Sequence, residues 1–129
     1  MARRRESPAQ AARGLQEFAD TMVLEPVAGQ VLVYRGHLPG GCYVLLRGEL
    51  ALDPGAAVAA GCGVVVPPPA ELDLPAARTL RAGAADCRLL FVPRSLALHD
   101  ARARRLLSRI PSAPLAEIRP AAAGRARSE

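Results

Sequence analysis

Between Val23 and Val92 short runs of valine and leucine alternate with breaks of glycine and proline, and none of the breaks is long enough to hold a crossover helix. The runs are VLVY (31–34), CYVLL (42–46), ELAL (49–52), GVVVP (63–67), TLRA (79–82) and CRLLFVP (87–93), punctuated by AGQ, GHLPGG, DPG, PPP and AGAAD. Parallel strands need crossovers of a dozen or more residues, so these runs must pair antiparallel, in a sandwich or barrel. The DPG break at 53–55 is a turn by its chemistry, since proline presets φ and glycine accepts positive φ.

Helical periodicity is confined to the flanks. SPAQ at 7–10 offers Ser7 as an N-cap, Pro8 at the first helical position and Gln10 at the third, a capping-box signature. Ala11, Leu15, Phe18 and Met22 follow at helical spacing, which predicts a helix over 8–22. After the strands, Ser95 is a candidate cap for a second helix ended by Pro111, with an apolar stripe of Leu96, Ala103, Leu106 and Ile110. That stripe fits either a homodimer seam along 96–110 or packing back onto the chain's own strands. The stretch from Pro111 to Glu129 has three prolines and no sustained period, and is expected to be a disordered tail. The predicted organisation is therefore a basic N-terminus and helix over 1–22, strands over 23–93, a helix over 94–110 and a tail over 111–129.

With 129 residues the chain is sized for one core, and aromatic residues make up only 3% of it, so that core must be aliphatic. Every basic residue is arginine, a bias that fits a GC-rich bacterial genome. The net charge of +5 lies at the ends: residues 23–93 carry five arginines against six acids, whereas 94–129 carry eight against three. A surface that tracks phosphates needs a basic patch on the folded body, so specific DNA binding is not expected, and an accessory role in DNA binding through the ends is the weakest reading. Cys42, Cys62 and Cys87 have no C-x-x-C spacing and read as buried thiols of a reduced compartment. No apolar run reaches membrane-spanning length and no signal peptide is legible, which predicts a cytoplasmic protein with no membrane partner.

The stretch PVAGQVLVYRGHLPGGCYVLLRGELAL resembles the first half of the cyclic-nucleotide-binding domain of catabolite-activator-type regulators. Gly29, Gly36, Tyr43, Gly48 and Glu49 fall in its pattern, and His37 stands where that family usually has aspartate. The resemblance extends over about residues 15–108. It implies a mainly β fold, a double-stranded antiparallel, jelly-roll-like β-roll with an N-terminal and a C-terminal helix.

The family's phosphate-binding cassette is matched by AELDLPAARTLRAGAADCRLLFVPRS, with departures. The resemblance assigns Glu71 to the ribose hydroxyl, followed by Leu72, and puts Thr79 in register. Ala70 replaces a glycine, and Ala76 stands where the family has the arginine that neutralises the phosphate. Four residues between Glu71 and Ala76 leave no room for the short helix whose amides hold that phosphate. Arg78, two positions on, is the one candidate to replace the lost guanidinium. The expectation is a sensor or interaction module with little or no affinity for cyclic nucleotides. The alternative is a regulatory protein that binds a cyclic nucleotide or another anion through Glu71, Leu72, Arg78 and Thr79.

No catalytic constellation is legible. His37 and His99 are too few and too far apart for the metal of a catalytic cupin, no cofactor is implied, and neither G-x-S-x-G nor G-x-x-x-x-G-K is present. Glu71 and Asp73 without a cleft or a partner do not make an acid/base pair. Nineteen residues after Ile110 are too few for a helix-turn-helix domain. The partner expected is a protein whose identity the sequence does not encode.

Overall fold

The structure, a computed structural model, describes residues 7–55, 57–59, 63–83 and 86–116. The arginines at 3–5, Cys62 and the tail from 117 onward lie outside the described residues. Helix α1 (Pro8–Leu15) is followed by strands β1 (Met22–Leu24), β2 (Val31–Val33), β3 (Gly41–Arg47), β4 (Glu49–Asp53), β5 (Ala57–Ala59) and β6 (Val64–Val66). A single 3-10 turn (Pro69–Glu71) leads to β7 (Thr79–Ala82) and β8 (Arg88–Pro93), then to helices α2 (Arg94–His99) and α3 (Ala101–Leu107). The strands form two four-stranded antiparallel sheets, in the orders β1-β8-β3-β6 and β2-β7-β4-β5. This is the mainly β roll with flanking helices that the strand spacing and the resemblance imply.

The difference between CYVLL and ELAL in the sequence is a difference in what covers each sheet. Side chains alternate across a strand. In β3, Cys42 and Val44 enter a core shared with the helices, while Tyr43 and Leu45 enter the core between the sheets. In β8, Leu90 and Val92 take the helical side and Leu89 the inter-sheet side. The first sheet is covered on both faces, which demands an unbroken apolar run. The second sheet turns Leu50, Leu52, Leu80 and Ala82 inward and Asp53, Thr79 and Arg81 outward, giving the alternation of ELAL and TLRA. Burial pushes the Cys42 thiol up to about 12, which makes it an inert core residue.

The helices depart from expectation at their ends. The capping box is present: Ser7 Oγ accepts from Gln10 N at 3.2 Å and Gln10 Oε1 accepts from Ser7 N at 2.8 Å. Yet α1 stops at Leu15 rather than at 22, because the Thr21 hydroxyl donates to the carbonyls of Leu15 and Phe18 at the point where the chain turns back. Met22, expected on the buried helix face, instead opens β1 and is 58% exposed. The C-terminal helix is two helices. Asp100 is extended, and its carboxylate accepts from Ala103 N at 2.9 Å, capping α3 at the cost of continuity with α2. Ser95 is not a cap; Pro93 occupies that place. Of the apolar stripe, Ala103, Leu106 and Ile110 are buried in the core against α1 and the first sheet, and Leu96 packs half-buried against them.

Gly36 and Gly48 lie on either side of β3, where the chain passes between the two sheets, at φ +88° and +93°, where residues with a Cβ are strained. Around Gly36 a Cβ would find nothing within 4 Å, whereas at Gly48 it would come within 2.9 Å of Cys87 Cα and 3.0 Å of the Asp86 carbonyl oxygen. Gly36→Ala should therefore cost about 1–2 kcal/mol of stability for its backbone conformation alone. Gly48→Ala should cost more, roughly 3 kcal/mol, because the backbone of the β7–β8 connection must also move. Urea denaturation of the two variants checks this, and equal losses would contradict it.

Candidate functional site

The cassette begins where the chain leaves β6 through Pro67 and Pro68. Pro68 is extended, and its carbonyl accepts from Glu71 N at 3.0 Å, closing the 3-10 turn. The next residues form turns: Leu72 N donates to the Pro69 carbonyl and Leu74 N to the Glu71 carbonyl. Ala76 is then held by the GHLPGG break, with Ala76 N bonding the His37 carbonyl at 2.9 Å and the Ala76 carbonyl accepting from Gly36 N at 2.7 Å. As the four-residue spacing requires, no helix stands between Glu71 and Ala76.

The interior of this cassette is filled by the chain's own C-terminal segment. Residues 111–116, expected to begin a disordered tail, run beside β6 and then into the roll. Val65 N donates to the Pro111 carbonyl at 2.8 Å, Ala113 N returns to the Val65 carbonyl at 2.9 Å, and Ser112 makes a parallel bridge with Val65. Further on, Ala116 bridges Ala76 antiparallel, and Ala77 N donates to the Leu115 carbonyl at 2.8 Å. Leu115, 1% exposed, packs in the inter-sheet core with Tyr43, Leu45, Leu80 and Ala76.

Glu71 is the buried charged residue of the described chain, at 2% exposure, and it holds this segment. One carboxyl oxygen, Oε1, accepts from Leu115 N at 2.8 Å and from Ala116 N at 2.7 Å. Burying a carboxyl group is costly unless it is hydrogen-bonded, and two convergent backbone amides supply that bonding at Oε1. The acceptor that the resemblance assigns to a ribose hydroxyl is thus engaged by peptide N–H groups.

The remaining candidates are not gathered at Glu71. Leu72 is fully buried in the helix-side core, and its carbonyl accepts from Arg94 Nη1 at 2.9 Å. Arg94 also pairs with the Asp73 carboxylate. Arg78 is exposed; it borders a depression of about 330 Å³ lined also by Ala77, Pro114, Leu115 and Ala116. Thr79 Oγ1 accepts from Arg35 N at 3.1 Å, tying β7 to the end of β2. Gly29, Tyr43 and Glu49 serve the fold: Gly29 N bonds the Ala82 carbonyl, the Tyr43 ring stacks at a tilt 5.1 Å from Phe91, and the Glu49 carbonyl accepts from Gly83 N. Leu115 and Ala116 are the site residues that sequence reasoning missed. Their signal was the pair Pro111 and Pro114, which presses Ile110 and Ala113 toward extended backbone and so favours a strand-like path.

Among the described residues no three His, Cys, Asp or Glu side chains approach as metal ligands do, and no helix is long and apolar enough to cross a membrane.

No protein-family model matches the sequence, and no curated protein matches it. Solved structures do. The solution structure of the cyclic-nucleotide binding homology domain of a KCNH channel superposes with a TM-score of 0.54 at 16% identity, covering 83% of this chain and 87% of that one. Thermus thermophilus catabolite activator protein gives 0.55 at 18% identity, covering 79% of this chain and 53% of that one. A protein of a cyclic-GMP-dependent signalling pathway that regulates bacterial phytopathogenesis gives 0.56 at 21% identity, covering 78% and 88%. The fold is that of a cyclic-nucleotide-binding domain.

Within that fold the C-terminal segment is a structural element whose removal is measurable. Leu115→Ala should cost about 2–5 kcal/mol as an inter-sheet cavity. Glu71→Ala, which leaves two buried amides without an acceptor, should cost roughly 2–4 kcal/mol. Arg78→Ala, at an exposed position, should stay within about 0.5 kcal/mol of the parent chain. Chemical denaturation measures all three, and a neutral Leu115→Ala would contradict the seating described.

Proposed function

We propose that this chain is a non-enzymatic regulatory or interaction module in which residues 111–116 take the place of a cyclic nucleotide, leaving little or no affinity for one. The observation that carries this reading is the pair of bonds from Leu115 N and Ala116 N to Glu71 Oε1. A ligand seeking Glu71 must first displace Leu115 from the core. Exposing that side chain costs about 2 kcal/mol, and breaking the bonds made by Leu115 N, Ala116 N and the Leu115 carbonyl about 1 kcal/mol each. A penalty of roughly 5 kcal/mol lowers apparent affinity by about three to four powers of ten. Ala76 supports the same conclusion, since a methyl group offers a phosphate no charge.

The role without catalysis is supported by neighbours of the same fold, which include an activator protein, a protein of a cyclic-GMP-dependent signalling pathway and a channel's homology domain. The fold accommodates both nucleotide-dependent signalling and a homology domain, so either use is open to a chain of this shape. A reduced, cytoplasmic setting belongs to the same proposal and is supported by the unbridged, buried thiols of Cys42 and Cys87.

Thermal melting in the presence of millimolar cyclic AMP or cyclic GMP tests the proposal. A ligand at about a hundred times its dissociation constant would add about 2.7 kcal/mol and raise Tm by several degrees. No shift is expected. A clear, saturable shift that disappears in Arg78→Ala would overturn the proposal in favour of an anion-binding regulator that uses Glu71 and Arg78.

A further inference from the structure

A groove of about 580 Å³ is lined by residues of the Pro69–Glu71 turn, of α2 and of α3. Its lining combines the apolar Pro69, Ala70, Leu98 and Ala101 with Arg104, Arg105 and Ser108. Among the described residues no carboxylate lines it. The buried face of α3, with Ala103, Leu106 and Leu107, fixes the opposite face toward this groove.

The two arginines differ from Arg94 and Arg102 and share with Arg109 the lack of an ion pair among the described residues. Arg94 pairs with Asp73, and Arg102 pairs with Glu17 at 3.0 Å while lying 5.2 Å over the Phe18 ring. Arg104 and Arg105 are exposed and form no ion pair among the described residues. Two guanidinium groups beside an apolar trough suit carboxylates flanking an aliphatic side chain, because arginine binds carboxylates in bidentate fashion and keeps its charge. A nucleic-acid strand would call for a longer basic track and aromatic stacking surfaces, and among the described residues no aromatic side chain lines this groove.

We propose that this groove docks an acidic, amphipathic peptide segment of a partner protein, with carboxylates on Arg104 and Arg105 and an aliphatic side chain against Leu98 and Pro69. The surface is separate from the Glu71 site and does not depend on what fills it. Docking would nonetheless bear on the turn that carries Glu71, since Ala70 lines the groove and is its sequence neighbour.

Amide NMR of the isotope-labelled full chain, titrated with the synthetic peptide acetyl-Glu-Leu-Glu-Glu-Leu-Glu-amide, tests this. Saturable shifts are expected at Ala70, Ala101 and Ser108. The Arg104→Glu/Arg105→Glu variant, altered at exposed positions and melting like the parent, should bind at least about tenfold more weakly. A peptide of glutamates alone should also bind more weakly than the leucine-bearing one. Absence of shifts, shifts confined to another surface, equal binding by the double variant, equal binding of the all-glutamate peptide, or tighter binding of a duplex DNA oligonucleotide at these residues would each overturn the proposal.

Discussion

A single carboxyl oxygen, Glu71 Oε1, organises the interior of this roll. It sits 2% exposed at the end of a proline-bounded turn and bonds two successive amides of a segment more than forty positions later in the chain. A buried carboxyl group without partners is strongly destabilising, and a pair of buried amides without an acceptor is scarcely better. Each therefore requires the other. The segment that completes the bond also carries Leu115 into the inter-sheet core, so polar satisfaction and apolar packing are met by the same residues.

The rest of the architecture sets up that meeting. The first sheet lies between the helices and the second sheet, which gives the molecule two cores separated by one layer of strands. Helix α3 belongs to the first core and ends beside β6, where the chain passes through Ile110 and Pro111 onto the edge of that strand. From the β6 edge it needs only a few extended residues to reach the cassette. Just after Glu71, Leu72 is anchored in the helix-side core, and farther on Ala76 is tied to Gly36 and His37, while the Pro68 carbonyl closes the turn from the other side.

Much of this is legible in the sequence. The unbroken CYVLL run, CRLLFVP from Arg88 onward and the alternating TLRA fall on strands, and SPAQ caps α1 as its chemistry demands. Gly36 and Gly48, matched to the family's pattern, have positive φ on either side of β3. The failures have physical causes. Thr21 and Asp100 each offer side-chain bonds that compete with helix continuation, and periodicity alone cannot weigh that competition. The segment around Leu115 has no period because it is a short extended piece bonded to groups remote in sequence. Its prolines suggest disorder by composition, although they also restrict the backbone to the extended conformations the segment adopts. Glu71 is legible through a motif, but its use in this chain depends on residues outside that motif.

Hydrogen exchange at the amides of Leu115 and Ala116, followed residue by residue in the intact chain, tests the central claim most directly. Both amides are bonded to a buried acceptor, so they should exchange on the timescale of amides within β3 and should remain protected when cyclic nucleotide is added. Exchange of these two amides at the rate of an unstructured peptide would contradict the account, because Glu71 would then lack the partners that its burial requires.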